Sequence, residues 1–154
     1  MPRLPDLELE FAFITHVDVS PIIDFGATPS GHRRVVPIVG GTFEGPELRG
    51  TVLPGADWQI VRPDGVLELE ARYALETDDG ALITIVNRCL RHAAPDVLDR
   101  LNRGEEVDPS LVYFRTTPRF ETSAEKYQWL TRTVFVGSGE RKAKQVVIRF
   151  WAVK

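Results

Sequence analysis

A single cysteine, Cys89, stands among 154 residues, so no internal disulfide can staple this chain, a count that fits a reducing compartment. Histidine is equally scarce. His16, His32 and His92 are scattered, with no i,i+4 pair and no second thiol, which argues against a zinc or iron centre. No apolar run approaches the roughly 20 residues of a membrane span. The start of the chain, Met1-Pro2-Arg3-Leu4-Pro5-Asp6, lacks the uninterrupted apolar stretch of a secretory signal. A basic excess is missing too: 19 Lys and Arg against 22 Asp and Glu give a net charge of -3, unlike a nucleic-acid scaffold. The expectation is a soluble, cytoplasmic protein without nucleic-acid or membrane partners.

Several chemistry-bearing motifs are absent as well. Gly137-Ser138-Gly139 has neither the lysine nor the following helix of a phosphate cradle. Asp78-Asp79-Gly80 lacks the later ligands of a calcium loop and reads as a turn. No nucleophile elbow occurs. The basic runs His32-Arg33-Arg34 and Arg141-Lys142-Ala143-Lys144 read as solvated loop charge. No metal or organic cofactor is expected.

What the chain does have is period two. Leu67, Leu69, Ala71, Tyr73 and Leu75 fall on one face of an extended segment, with Glu68, Glu70, Arg72 and Glu76 opposite. Asp79-Gly80 turns that segment back as a two-residue type I′ hairpin into Leu82 to Val86. The same alternation runs from Leu7 to Val19, ended by Ser20-Pro21. Phe25 to Arg34 reads as a loop, and Val35 to Phe43 as a strand bent at Gly40-Gly41. Pro54-Gly55 is expected to turn the chain between Leu48–Leu53 and Asp57–Val61, and Pro63-Asp64-Gly65 to turn it again. A helix is predicted from Pro95 through Val97, Leu98 and Leu101 to a stop at Gly104. A second is predicted from Ser123 to about Leu130, with Thr122 and Glu125 as a capping box. Leu111 to Thr117, Thr131 to Val136 and Val146 to Val153 complete the strands, the last two joined by Gly137-Ser138-Gly139.

Sequence-adjacent hairpins without crossover helices exclude a parallel sheet. The predicted fold is all-β: an antiparallel closed β-barrel of about eight to nine strands with two short helices, formed by residues 1–154 as one domain. A two-sheet sandwich is the structural alternative. Helix content should stay below about a fifth, against the roughly one-third of an average domain. Val147, Trp151 and Val153 make the last strand apolar on its second face too, which predicts a homo-oligomer that covers it.

Three segments carry a resemblance. They are Gly40-Gly41-Thr42-Phe43-Glu44-Gly45-Pro46 through Gly55-Ala56-Asp57-Trp58, Ala71-Arg72-Tyr73 through Asp78-Asp79-Gly80, and Tyr113 through Thr122 with Arg132 through Gly137. Together they resemble a bacterial family known as domain of unknown function family 3237, or uncharacterised protein family 0311. The resemblance implies a calycin-like or allene-oxide-cyclase-like β-barrel and brings no established reaction. The chain departs from the family's usual pattern in lacking a second glycine before Ala56-Asp57-Trp58 and in having Cys89 in place of a glycine.

Candidate site residues are polar groups riding on apolar faces, which must find partners inside a barrel. Tyr73 and Asn87 are two. Arg115 and Glu121 flank an expected kink at Pro118 and form either a catalytic pair or a structural ion pair. Asp57-Trp58 and Trp129 supply aromatic walls with a nearby acid, and Arg132, in step with Leu130 and Val134, is taken to point inward. The predicted catalytic set is Glu121, Arg115 and Tyr73, and the ligand-binding set Trp58, Asp57, Trp129, Arg132 and Asn87. The function class stays open among a cofactor-free isomerase, cyclase or lyase on a small organic molecule, a small-ligand carrier, and an interaction module.

Overall fold

The computed structural model describes residues Met1–Lys154 and shows nine strands: β1 (Leu9–Val19), β2 (Ile23–Thr28), β3 (Gly31–Glu44), β4 (Arg49–Val61), β5 (Leu67–Thr77), β6 (Leu82–Ala93), β7 (Val112–Glu121), β8 (Phe135–Arg141) and β9 (Gln145–Val153). One α-helix, α1 (Pro95–Asn102), and two 3₁₀ segments, Pro109–Leu111 and Glu125–Arg132, interrupt them. Neighbouring strands are all antiparallel, in the order β1-β9-β8-β7-β6-β5-β4-β3-β2. β1 also pairs with β3, Val17 opposite Gly41, and this seam closes eight strands into a barrel with β2 left as a flap on β3. Strand makes up 60% and helix 12% of the chain, so the all-β expectation and the low helix content both hold. No helix is long and apolar enough to cross a membrane.

Period two places the core. Leu67, Leu69, Ala71, Tyr73 and Leu75 are all buried, as are Ile83, Ile85 and Asn87 on β6, while their even-numbered neighbours Glu68, Arg72 and Arg88 face out. Phe13, Phe43, Phe120, Phe135 and Phe150 fill one half of the barrel, with ring centroids 4.9–6.2 Å apart, and Leu75, Ile83 and Ile85 pack among them. The Glu125–Arg132 segment seals that end with Tyr127 and Leu130. It is anchored to the β5–β6 turn, where the Tyr127 hydroxyl and Lys126 ammonium each donate to Asp79 at 3.1 Å. The opposite end, ringed by the β2–β3 hairpin, α1 and the β8–β9 turn, stays open.

Several local readings are corrected. Phe25 to Arg34 is not a loop: β2 and β3 form a hairpin there, with Ile23 opposite Val35 and Thr28 opposite Gly31. Pro54-Gly55 is no turn but a bulge within one continuous β4, the register shifting between Leu53 and Ala56. At Asp79-Gly80 only Gly80 has positive φ, 87°. The Gly80 amide donates to the Thr77 carbonyl, a type I turn followed by a left-handed glycine rather than type I′. β7 runs through Pro118 without a kink, because β8 pairs with it only at Arg115 and Thr116, and the strand beyond is an edge that tolerates proline. Glu125 makes no capping box: the Thr122 hydroxyl accepts from the Ala124 amide and donates to the Leu82 carbonyl, and the turn that follows is 3₁₀. Gly137 and Gly139 lie inside β8. A Cβ on Gly137 would collide with the Thr116 hydroxyl, and one on Gly139 would come within 2.8 Å of the Phe114 ring. The glycines make room for interior side chains rather than for a turn.

Candidate functional site

Polar residues enter the barrel because the alternation that buries Leu67 and Ile83 continues toward the open end with different side chains. On β6 the inward series is Ile83, Ile85, Asn87, Cys89, Arg91; on β4 it is Asp57, then Gln59. Register brings them together. Asp57 lies opposite Ala71 of β5, which lies opposite Asn87 of β6, and Gln59 and Cys89 flank Leu69 in the same way. The small side chain of Ala71 leaves space between the carboxyl and the amide. That space is a cavity of about 50 Å³ lined by Asp57, Tyr73, Asn87, Cys89 and apolar residues of β1, β3, β5 and β9. It is room for a few waters or for one end of a small molecule. Ile22, Arg34, Arg91 and Arg141 line both this cavity and an outer basin of about 550 Å³ that reaches Leu101, Gly104 and Glu105 after α1. The three arginines therefore form a neck.

The hydrogen bonding is incomplete in a pointed way. The Gln59 amide donates to Asp57 Oδ2 at 2.9 Å, and Arg34 donates to Gln59 Oε1 from Nε at 3.1 Å and Nη2 at 2.7 Å. Asp57 Oδ1, the Tyr73 hydroxyl, both amide atoms of Asn87, Arg91 Nε and the Thr116 hydroxyl are buried and have no partner within the protein. Each such group would cost roughly 1–3 kcal/mol if left unsatisfied, so those that face the cavity are placed to bond to water or to a ligand's polar atoms there.

Burial dominates the electrostatics. It pushes the Asp57 carboxyl up to about 6, even though the Gln59 amide and Arg91, Arg141 and Arg34 pull the other way. Burial also raises the Tyr73 hydroxyl and the Cys89 thiol well above their ordinary values, with the Asp57 charge adding to both. Tyr73 is therefore a neutral hydrogen-bond donor across the physiological range. Arg91, 8% exposed, is brought down to about 10 by burial and then by Arg34 and Arg141, and its guanidinium lies 5.9 Å from the Phe114 ring centroid.

Of the residues singled out from sequence, Asp57, Tyr73 and Asn87 meet in this cavity. The others do not join them. Trp58 follows Asp57 on a strand and so points the opposite way; it is 49% exposed, in an outer groove with Arg33, Leu90, Tyr113 and Arg115. Arg115 is outside because Thr116 is inside. Its guanidinium lies 5.2 Å from the Tyr113 ring centroid and donates to the Phe114 carbonyl and the Ser138 hydroxyl. Glu121 is exposed next to inward Phe120, and six residues of extended β7, about 20 Å, separate it from Arg115, so the expected pair does not form. Trp129 packs against Phe135 at the sealed end, 6.0 Å between centroids, and Arg132 is exposed on the same segment.

Sequence reasoning missed Gln59, Arg91, Arg34 and Arg141. For Arg91 a signal existed, since it continues the inward parity of Asn87; Gln59 follows Asp57 to the interior only because the bulge between Leu53 and Ala56 reverses the faces of β4. Arg34 and Arg141 sit in runs that resemble solvated loops, and only the register of β3 and β8 turns them to the neck.

Comparison with known proteins agrees with this architecture. Residues 7–153 match the family described as "Protein of unknown function (DUF3237)". An uncharacterised UPF0311 protein from Rhodopseudomonas palustris is 47% identical over 145 residues, covering 94% of this chain and 95% of its own. The crystal structure of a conserved protein of unknown function from the same species is similar with a TM-score of 0.92 at 44% identity, covering 99% of this chain and 100% of that one. A more distant relative, 24% identical over 146 residues, covering 95% of this chain and 83% of its own, is the hydroalkoxylation enzyme phnH of Penicillium herquei. Matched almost from end to end in sequence and in barrel geometry, the chain belongs to the DUF3237 family.

Proposed function

We propose that the cavity is an active site for acid–base chemistry on a small unsaturated or carbonyl-containing molecule, in which Asp57 moves the proton. The observation that carries this is a carboxyl group raised to about 6, facing a cavity whose other polar groups, Tyr73 and Asn87, lack partners of their own. A carboxyl raised to about 6 is mostly ionised at neutral pH and binds a proton more readily than an ordinary aspartate, so it can both take and return one. Tyr73 donates a hydrogen bond to an oxygen that gains charge, and Asn87 orients the reacting group. The name of the relative from Penicillium herquei supports one member of this class, the addition of a hydroxyl across a carbon–carbon double bond. In that step Asp57 accepts the O–H proton as oxygen bonds to one alkene carbon, and the other carbon takes a proton back. Isomerisation and elimination use the same groups. The 50 Å³ cavity admits the reacting end, and the basin holds the remainder.

Asp57→Asn keeps the shape and removes the base. With a panel of small alkenols, each carrying a hydroxyl and a carbon–carbon double bond, turnover should fall by roughly 10²- to 10⁴-fold in this variant while binding persists. Tyr73→Phe should cost roughly 10²-fold in turnover. A substrate-free check is the carboxyl ¹³C resonance of Asp57, expected to titrate near pH 6. Titration at the ordinary aspartate value would remove the basis of the assignment.

A further inference from the structure

We infer that the arginine neck selects substrates bearing a carboxylate, which Arg34, Arg91 and Arg141 hold while the opposite end of the molecule reaches Asp57. The inference rests on the reading of the cavity as a ligand site and adds the substrate class. A chain of net charge -3 places three guanidiniums around one opening, and none of its ion pairs involves them. The two carboxylates that line the basin are occupied elsewhere: Asp24 by His32 at 2.7 Å, Glu105 by Arg103 at 2.8 Å. Arg91 is buried with Nε unpartnered, and Gln59 holds Arg34 by its Nε and one terminal nitrogen. Three like charges so placed repel one another, and an arrangement that concentrates them at an entrance favours an incoming anion. A planar carboxylate matches the guanidinium fork. Asp57 lies deeper on β4, beyond Gln59, so a carboxylate held at the neck keeps clear of the proton-transfer group.

The test compares trans-cinnamate with trans-cinnamamide, equal in shape and different in charge, by calorimetry and by ¹H–¹⁵N spectra that report the Asn87 side-chain amide. Cinnamate should bind roughly 10- to 100-fold more tightly, perturb Asn87, and lose that preference as sodium chloride rises. Arg34→Gln and Arg141→Gln should each bring the two ligands within about threefold. Arg33→Gln, outward on the same strand, should leave the preference intact. Melting temperatures establish that each variant is folded, and the salt titration on the unmodified protein tests the inference without any variant. Equal affinity for acid and amide, with Asn87 perturbed by both, would overturn the carboxylate neck and leave the cavity reading standing. If neither ligand perturbs Asn87, both fail.

Discussion

Asp57→Asn is expected to make the protein more stable at pH 7.5 and no more stable at pH 4. Folding carries the Asp57 carboxyl from an ordinary value of 3.8 up to about 6, because burial disfavours the charged form. Between those values the folded state keeps a proton that the unfolded state has released, so stability falls as pH rises through the window. Above pH 6 the full cost is present, about 3 kcal/mol for a shift of this size; below pH 4 both states are protonated and the cost is gone. Attraction from Arg34, Arg91 and Arg141 is already included, so the cost is what remains after they offset part of it. Asparagine cannot ionise, and its carbonyl still accepts from Gln59. The melting temperature should therefore rise by roughly 6–12 °C at pH 7.5, with the gain disappearing on acidification. Such a gain, paired with lost turnover, is the expected signature of a site that holds a strained charge for chemistry. A variant less stable than the parent at pH 7.5, or a gain independent of pH, would show that Asp57 is simply a structural acid.

Gly41→Ala is expected to open the barrel. Gly41 has φ of 137°, a conformation that L residues rarely adopt, and a Cβ there would fall on the carbonyl oxygen of His16 across the β1–β3 seam. Backbone strain of roughly 1–3 kcal/mol adds to a forced separation of the strands of similar size. The melting temperature should drop by about 6 °C or more. Because β1–β3 pairing alone closes the eight strands, hydrogen exchange should rise first in the segments around Val17 and Thr42, and the freed edges should promote aggregation. Gly26 serves as the comparison. Its φ of 77° is also left-handed, but a Cβ there meets nothing within 4 Å, and β2 is outside the barrel. Gly26→Ala should show strain without opening. Equal losses from the two substitutions would mean that the seam contributes nothing beyond local strain.

The barrel was readable from the chain because strand geometry repeats every two residues and a half-buried sheet writes that period into its side chains. Leu67 to Leu75 and Ile83 to Asn87 are assigned to the correct face with no coordinates at all, and α1 is located by its proline start and by Gly104. Glycine and proline were harder, since both serve turns and strand interiors. Pro54-Gly55 became a bulge, Gly137-Ser138-Gly139 part of β8 and Pro118 an edge-strand residue, because close packing across the barrel sets their role and local composition does not.

The candidate site divides along the same line. Parity alone directs Tyr73 and Asn87 inward and places Arg115 and Glu121 on either side of inward Thr116 and Phe120. On β4 it favours apolar Trp58 and Ile60, and only the bulge between Leu53 and Ala56 reverses the faces and turns Asp57 and Gln59 inward. Which inward residues meet is a different question. Asp57 faces Asn87 across Ala71 through the register of three strands, and Arg34 from β3, Arg91 from β6 and Arg141 from β8 converge only because β1 and β3 join and bring distant parts of the chain around one opening. A face is a local property, carried by each residue's position along its strand. A neck of three guanidiniums over a buried carboxyl is a property of closure, and no single stretch of the chain contains it.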